Sequence, residues 1–346
     1  MLRSTTLREA KHGLPLLVEP DGAATPATLT EWLAAHRDWS REKLLGHGAL
    51  LFRGFGVSSA SEFERVARAI DPDLKNEYLG TSPRDALTEY VFSASELPGY
   101  YPIPQHCEMT FTRTPPRRIF FFCDIPPRSP GGETPLVDFR RVLGDLRADV
   151  RQRFEARGLR IIRNYAGPGE RKRDLMQLKR WDEMFLTTDR EAVATRARAE
   201  GFEPVWHEGQ RLSLISHHDV VRAHPDTGEP VWFNHAQVFH LSTGPSELGR
   251  IFRQRPAVQA LFWWSAAALL TAAKRRKPAE EQAMHCTHRD GSEIARADLE
   301  HVRDVIWNNL VVFRWQRGDV VAVDNNAIGH GRLPYRGPRR IAVCWA

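Results

Sequence analysis

Two short pieces of this chain carry groups able to do chemistry. "PQHCEMTF", Pro104 to Phe111, sets His106 two residues before Glu108, and "GGETPLVDFRRV" follows downstream. On a strand, residues two apart project to the same face, so His-x-Glu can present an imidazole and a carboxylate to one metal ion from a short rigid segment. A third ligand must then come from elsewhere. Two histidines and one carboxylate on one face of an octahedron leave three open positions, the arrangement of non-haem iron(II) oxygenases.

The motif alone is weak. With 14 His and 43 Asp plus Glu in 346 positions, about 1.7 such pairs arise by chance, and the chain has five. His36/Asp38 lies in a helical pattern, where a two-residue offset points the side chains apart. His224/Asp226 sits in the turn "HPDTGEP" and His288/Asp290 in the loop "THRDGS". His217/Asp219 follows a plausible strand and is the serious rival to His106/Glu108.

The elements that must position these groups are strand-like beyond Pro115. "RRIFFFCDI", "TPLVDF", "LRIIRNY", "RLSLISHH", "PVWFNHAQVFHL", "LVVFRWQ", "DVVAVDNN" and "RRIAVCWA" are short apolar runs separated by Gly, Pro and Asp turns. Many short strands imply an antiparallel barrel or sandwich. Before them, "GALLFRGFGV" reads as a buried strand and "SASEFERVARAI" as a short helix. A helix preceding both has a capping box at Thr28 and Glu31. Helix-rich, arginine-rich stretches at 169–199 and 247–305 are expected to pack outside the barrel. Without a dividing linker, residues 1–346 are expected to form one domain.

Composition bounds the function. An apolar content of 42% with 10 Trp and 17 Phe supports a sizeable core. The N-terminus lacks the apolar run of a signal peptide, and "ALFWWSAAALLTAA", Ala260 to Ala273, is too short for a membrane span and reads as a buried helix. Four cysteines without Cys-x-x-Cys spacing point to reduced thiols and a cytoplasmic protein. The net charge of +6 is scattered arginine; its densest run, "KRRKP" from Lys274, reads as a solvated helix end, so nucleic acid is disfavoured as a partner.

His106/Glu108 and "GGET", taken with "WQRGDVVAVDNNAIGHGRLPYRGPRRIAVCWA", "GALLFRGFGV", "YLGTSPRDALTEYVFSASELPGYYPIPQHCEM" and "HPDTGEPVWFNHAQVFH", resemble the TauD/TfdA family of Fe(II)- and 2-oxoglutarate-dependent dioxygenases. The likeness is greatest to its SyrP-like branch of natural-product (syringomycin biosynthesis) enzymes. It runs from about residue 48 to the end.

The resemblance implies a mainly β protein with surrounding helices on a double-stranded β-helix core, a cupin-like jelly roll. It implies Fe(II), 2-oxoglutarate and O2 as cofactor and co-substrates. His106, Glu108 and His330 would be the catalytic iron ligands, Thr134 would contact 2-oxoglutarate, and Arg340 would grip its distal carboxylate. Arg339 is the adjacent competitor, since strand alternation points only one of the pair inward. Taken singly, His330 reads equally well as a core histidine, Thr134 as a turn residue and Arg340 as a surface charge.

Taurine dioxygenase carries a sulfonate-binding arginine four residues beyond its oxoglutarate arginine. Here that position is Cys344, which argues against a sulfonate substrate. Family halogenases replace the ligand carboxylate with a small residue; Glu108 is retained, which disfavours halogenation. The implied reaction is hydroxylation of an unactivated carbon of an amino acid or amino-acid-derived intermediate, free or presented by an acidic carrier protein. Desaturation and cyclisation stay open. Asn76, Tyr78, Arg84, Ser93 and Glu96 are candidates for the substrate wall, with Asn234 and His235 beside them.

Overall fold

"RIFFFCDI" is apolar at nearly every position because the strand it forms is covered on both sides. Ile119, Phe121 and Cys123 enter one hydrophobic core, and Phe120 and Phe122 enter another. The computed structural model describes every residue except 1, 81–83, 96, 129, 173, 175, 178, 255–257 and 277–281.

The strands, in chain order, are β1 (Leu2–Lys11), β2 (Leu14–Pro20), β3 (Ala49–Phe52), β4 (Phe92–Ser93), β5 (Ile103–His106), β6 (Arg118–Ile125), β7 (Leu136–Asp138) and β8 (Leu159–Tyr165). They continue with β9 (Glu203–Trp206), β10 (Leu212–His218), β11 (Val221–Ala223), β12 (Pro230–Trp232), β13 (Met284–Thr287), β14 (Val320–Asp324), β15 (Ile328–Arg332) and β16 (Arg340–Trp345). A large sheet runs β1-β2-β3-β14-β6-β16-β4. Smaller sheets run β5-β15-β7, β13-β8-β10-β9 and β11-β12.

Period-two alternation divides the large sheet cleanly. On β3, β14 and β16, the residues Leu51, Val321, Val323, Ile341, Val343 and Trp345 face inward, into a core shared with Leu136 of β7, Ile328 of β15 and Ile161 of β8. Leu50, Phe52, Val320, Ala322, Ala342 and Cys344 face outward. They are covered by the helices Pro26–Ala35 and Ala60–Ile70 through Leu29, Leu33, Phe63 and Val66. Burial on both faces is why these strands read as continuous apolar runs rather than as alternating ones.

Several expectations need correction. The first helix is capped by Thr25, whose hydroxyl accepts from the Thr28 amide, not by a box at Thr28 and Glu31; Pro26 at the first helical position favours this earlier start. "LVVFRWQ" forms only a single bridge, Val311 to Leu136, rather than a strand. "PVWFNHAQVFHL" is strand only over β12 and then turns into the helix Ala236–Phe239. Within 247–305 lies β13, paired with β8, so that stretch is not wholly an external insertion. In 169–199 the described helices are Trp181–Phe185 and Arg190–Ala199.

The helix expected to be buried, "ALFWWSAAALLTAA", is a helix over Val258–Lys274 but not a buried one. Phe262 is 60% exposed and Leu269 74%. Its principal packing neighbour is the helix Thr243–Gln254, with Trp264 stacked near Phe252, while Trp263 stacks on Tyr100. One neighbouring helix covers one stripe, and a sequence apolar all round leaves the remainder bare. No described helix is long and apolar enough to cross a membrane, and all four cysteines are buried free thiols.

Candidate active site

Strand pairing brings together histidines that are far apart in sequence. β5 and β15 run antiparallel with His330 directly opposite His106. Glu108 follows just past the end of β5, and the next residue, Met109, has φ of +53°. A left-handed backbone at a non-glycine residue is uncommon and needs support from its surroundings. Asn325 gives it: the Glu108 amide donates to Asn325 Oδ1 across 2.6 Å, and Asn325 Nδ2 donates to Glu108 O at 3.1 Å and Pro116 O at 2.8 Å. The result is a set of donor atoms on His106, Glu108 and His330 that all lie within 4.8 Å of one another.

Hydrogen bonding fixes one ring of the set. His106 Nδ1 lies 2.8 Å from Pro104 O, an oxygen that only accepts, so Nδ1 carries the proton and Nε2 keeps its lone pair for a metal. Burial, and next the neighbouring His330, press His106 down to about 4, so the ring is neutral at pH 7. Burial alone would raise Glu108, but Arg84, then His330 and His106, outweigh it and hold its carboxyl well below the usual carboxylate range. Two imidazoles and an ionised carboxylate converging on one point suit iron(II).

These groups open into a cavity of about 140 Å³ that is also lined by Thr134, Arg339, Tyr78, Arg84 and His235. Here the structure departs from the expectation for Arg340. Arg340 leaves 60% of its side chain exposed, pairs with Asp124 and does not line the cavity. Arg339 does line it, donating to Gly132 O at 2.8 Å and to Thr134 Oγ1 at 3.3 Å.

The reason is parity. Arg339 shares its side of the chain with Ile341, Val343 and Trp345 of the inner core, whereas Arg340 precedes Ala342 and Cys344 of the outer one. Burial, then Arg332, press the Arg339 guanidinium down to about 10, so it stays a cation at neutral pH, and these two hydrogen bonds go to neutral oxygens. Cys344 is likewise on the outer face, so it does not mark a substrate position. The residue four beyond Arg339 is Val343, which carries no cation either.

The wall candidates divide. Tyr78 and Arg84 line the cavity, with Arg84 donating to Glu108 Oε2 at 2.9 Å and to the Tyr78 hydroxyl at 3.1 Å. Asn76 is exposed and away from the cavity. Ser93 accepts from the Asp85 amide at 2.8 Å, and Asn234 is buried, donating to Val220 O and accepting from the Ala236 amide; neither lines the cavity. Glu96 lies outside the described residues. The rival motif fails, because Asp219 pairs with Arg289 and joins no cluster of metal-binding donors with His217 among the described residues.

Sequence reasoning missed Asn325 and Lys179. "DNN" reads as an ordinary turn, and its partner Glu108 is remote in sequence. Lys179, over the ring of Tyr78 at 5.0 Å, comes from an irregular segment without periodicity.

The model of the "Taurine catabolism dioxygenase TauD, TfdA family" matches residues 13–345. The chain belongs to this family. The TauD/TfdA-family protein is 26% identical over 343 residues to the dapdiamide synthesis protein DdaC of Enterobacter agglomerans, covering 99% of this chain and 94% of that one. It is 29% identical over 356 residues to a clavaminate synthase-like protein of Arabidopsis thaliana, covering 99% and 97%.

Among solved structures it resembles PvcB, described as an Fe, alpha-ketoglutarate dependent oxygenase from an isonitrile synthetic pathway, with TM-score 0.53, 16% identity and coverage of 99% and 90%. It also resembles AAD-2 in complex with Mn(II) and N-oxalylglycine, with TM-score 0.52, 12% identity and coverage of 100% and 97%. The fold is the double-stranded β-helix, or jelly roll, of this family. This TauD/TfdA-family member is an iron(II)- and 2-oxoglutarate-dependent oxygenase that uses O2.

Proposed function

We propose that this oxygenase hydroxylates an unactivated carbon of an amino acid or amino-acid-derived intermediate in natural-product biosynthesis, with His106, Glu108 and His330 holding the iron. The observation that carries this reading is one cavity with an iron-type donor triad and two cationic ends, Arg339 with Thr134 on one wall and Arg84 with Lys179 near another. The first end suits the distal carboxylate of 2-oxoglutarate, because a guanidinium can grip a carboxylate with two parallel hydrogen bonds. The names of two relatives, a dapdiamide synthesis protein and an oxygenase of an isonitrile pathway, support the biosynthetic setting.

When bound, iron with 2-oxoglutarate and O2 supplies the oxidising power, and the protein supplies position and dryness. His106 and Glu108 would hold the iron from one short segment, which Asn325 keeps in place. Thr134 and Arg339 orient the co-substrate. At the other end, Arg84 Nε and Nη1 are buried without hydrogen-bond partners among the described residues. Burial, then Arg84, press Lys179 down to about 8, so it remains largely protonated at pH 7. Such a wall favours a substrate carboxylate, as an amino acid carries.

The test is succinate formation from 2-oxoglutarate by anaerobically iron-loaded protein on exposure to O2, across a panel of amino acids, each free and as a carrier-bound thioester. Stimulation by one member, with a product heavier by one oxygen, supports the reading and decides whether presentation by a carrier is needed. Succinate without an oxygenated amino acid sinks the proposed substrate class.

A further inference from the structure

One buried arginine beside the cavity gathers the carbonyls of a single loop. Arg332 ends β15, two residues after His330, and is 3% exposed. It donates to Leu97 O at 3.0 Å, to Pro98 O at 2.8 Å and to Tyr101 O at 2.9 Å. We propose that Arg332 is a positioning residue, whose guanidinium fixes the loop 97–101 as the outer wall of the cavity on the substrate side. That the substrate is an amino acid rests on the function proposed for the oxygenase; the role of the loop does not.

The loop belongs to no strand or helix, so its backbone groups need partners from elsewhere. Within it, the Tyr101 amide donates to Pro98 O at 3.0 Å, a single turn. Arg332 takes the carbonyls of Leu97, Pro98 and Tyr101, and the Tyr335 amide takes Gly99 O at 2.8 Å. A planar guanidinium reaches several acceptors from one fixed position, which an ammonium on a flexible stem does not. The loop also lies close against Tyr335: a Cβ on Gly99 would stand 2.9 Å from Tyr335 O.

Position makes this loop a wall. Leu97 and Tyr101 line the cavity, whereas Tyr100 is 42% exposed and stacks on Trp263 at 4.0 Å. The loop therefore separates the cavity from solvent. It leads directly into β5, where Ile103 pairs with Arg332 three residues before His106. The arginine thus sets where the wall stands relative to the strand that carries the first iron ligand.

The two cavity arginines divide the work. Arg339 is anchored on Gly132 O and Thr134 Oγ1, at the end assigned to 2-oxoglutarate, whereas Arg332 spends its hydrogen bonds on the loop. Losing the hold of Arg332 should therefore disturb the substrate wall and spare the co-substrate seat.

The experiment is amide hydrogen exchange over residues 97–103, read beside the 2-oxoglutarate affinity of the anaerobic iron-loaded protein. It compares wild type with Arg332→Gln, Arg332→Lys and Gly99→Ala. Arg332→Gln is expected to speed exchange in that segment about 10-fold or more, with the rest of the chain unchanged and 2-oxoglutarate affinity within about three-fold. Arg332→Lys, which keeps the charge but not the fork, should fall between it and wild type. Gly99→Ala, which pries at the same loop and leaves the arginine intact, should also speed exchange there, and it carries the comparison if Arg332→Gln does not fold. The KM for the amino acid that stimulates succinate formation should rise about 10-fold or more in Arg332→Gln. Unchanged exchange over 97–103, a parallel rise across the whole chain, an equal loss of 2-oxoglutarate affinity, or faster exchange with an unchanged amino-acid KM each overturns the proposal. If no amino acid stimulates wild type, the proposed substrate class fails, while exchange and co-substrate affinity still decide the role of Arg332.

Discussion

Arg339 donates a hydrogen bond to Thr134 Oγ1 across 3.3 Å inside the cavity, while its neighbour Arg340 turns to Asp124 on the other side of the sheet. Two adjacent arginines therefore have opposite expected phenotypes. Arg339→Ala should raise the KM for 2-oxoglutarate roughly 100-fold, the scale of losing a pair of charge-assisted hydrogen bonds. Arg340→Ala should leave it within about two-fold, as expected for a largely exposed ion pair. Steady-state kinetics in varied 2-oxoglutarate decide it, and the reverse pattern would restore Arg340.

His106→Ala and Glu108→Ala should each abolish 2-oxoglutarate-dependent turnover. Anaerobic iron binding should weaken in parallel, because each removes one donor of a set held within 4.8 Å. Intact turnover in either variant would sink the assignment of the triad.

Gly331 follows His330, and a Cβ there would lie 2.5 Å from Ile103 O, a backbone atom of β5. The two strands cannot keep their approach with a side chain at this position. Gly331→Ala should cost about 1–3 kcal/mol of stability and loosen the spacing of His330 and His106. A lowered melting temperature with weakened iron binding is expected; an unchanged iron affinity would show that the strand gives way elsewhere.

Lys179 offers its charge without touching the metal ligands. Lys179→Ala should raise the KM for a carboxylate-bearing substrate while leaving the KM for 2-oxoglutarate unchanged. Equal effects on both would place Lys179 outside the substrate subsite.

His218 gives the stability a pH dependence. Burial, then Arg163, His217 and Arg289, lower it from 6.5 to about 4, with Asp219 opposing, and its Nε2 lies 2.7 Å from Ser216 Oγ. As pH falls below 6.5 the unfolded chain takes up this proton before the folded chain does, so stability is lost between about 6.5 and 4. Above that window the residue contributes no pH dependence. His218→Gln should flatten the fall in melting temperature over this range, and an unchanged slope would assign it to other groups.

The local chemistry of the site was legible in the sequence. His-x-Glu at His106 and Glu108, the "GGET" turn and the late His330 stand in family order, and the runs that became β3, β6, β14 and β16 declared themselves by their apolar content. Even the arginine could have been read correctly. The large inward side chains Ile341, Val343 and Trp345 set the parity of β16, and they point Arg339, not Arg340, to the inside.

Other features depended on contacts that a linear pattern does not carry. Period two says that a strand has two faces, but only packing says which face meets the cavity. The pairing of His330 with His106 and the hold of Asn325 on Glu108 join residues that no local propensity links. The helix Val258–Lys274 makes the same point, since its composition fixed that it is apolar but only its neighbours decided how much of it is covered. The sequence determined which groups this protein owns and the local conformations they favour; the tertiary structure decided which of them share a cavity, because burial and hydrogen bonding are settled between elements rather than within them.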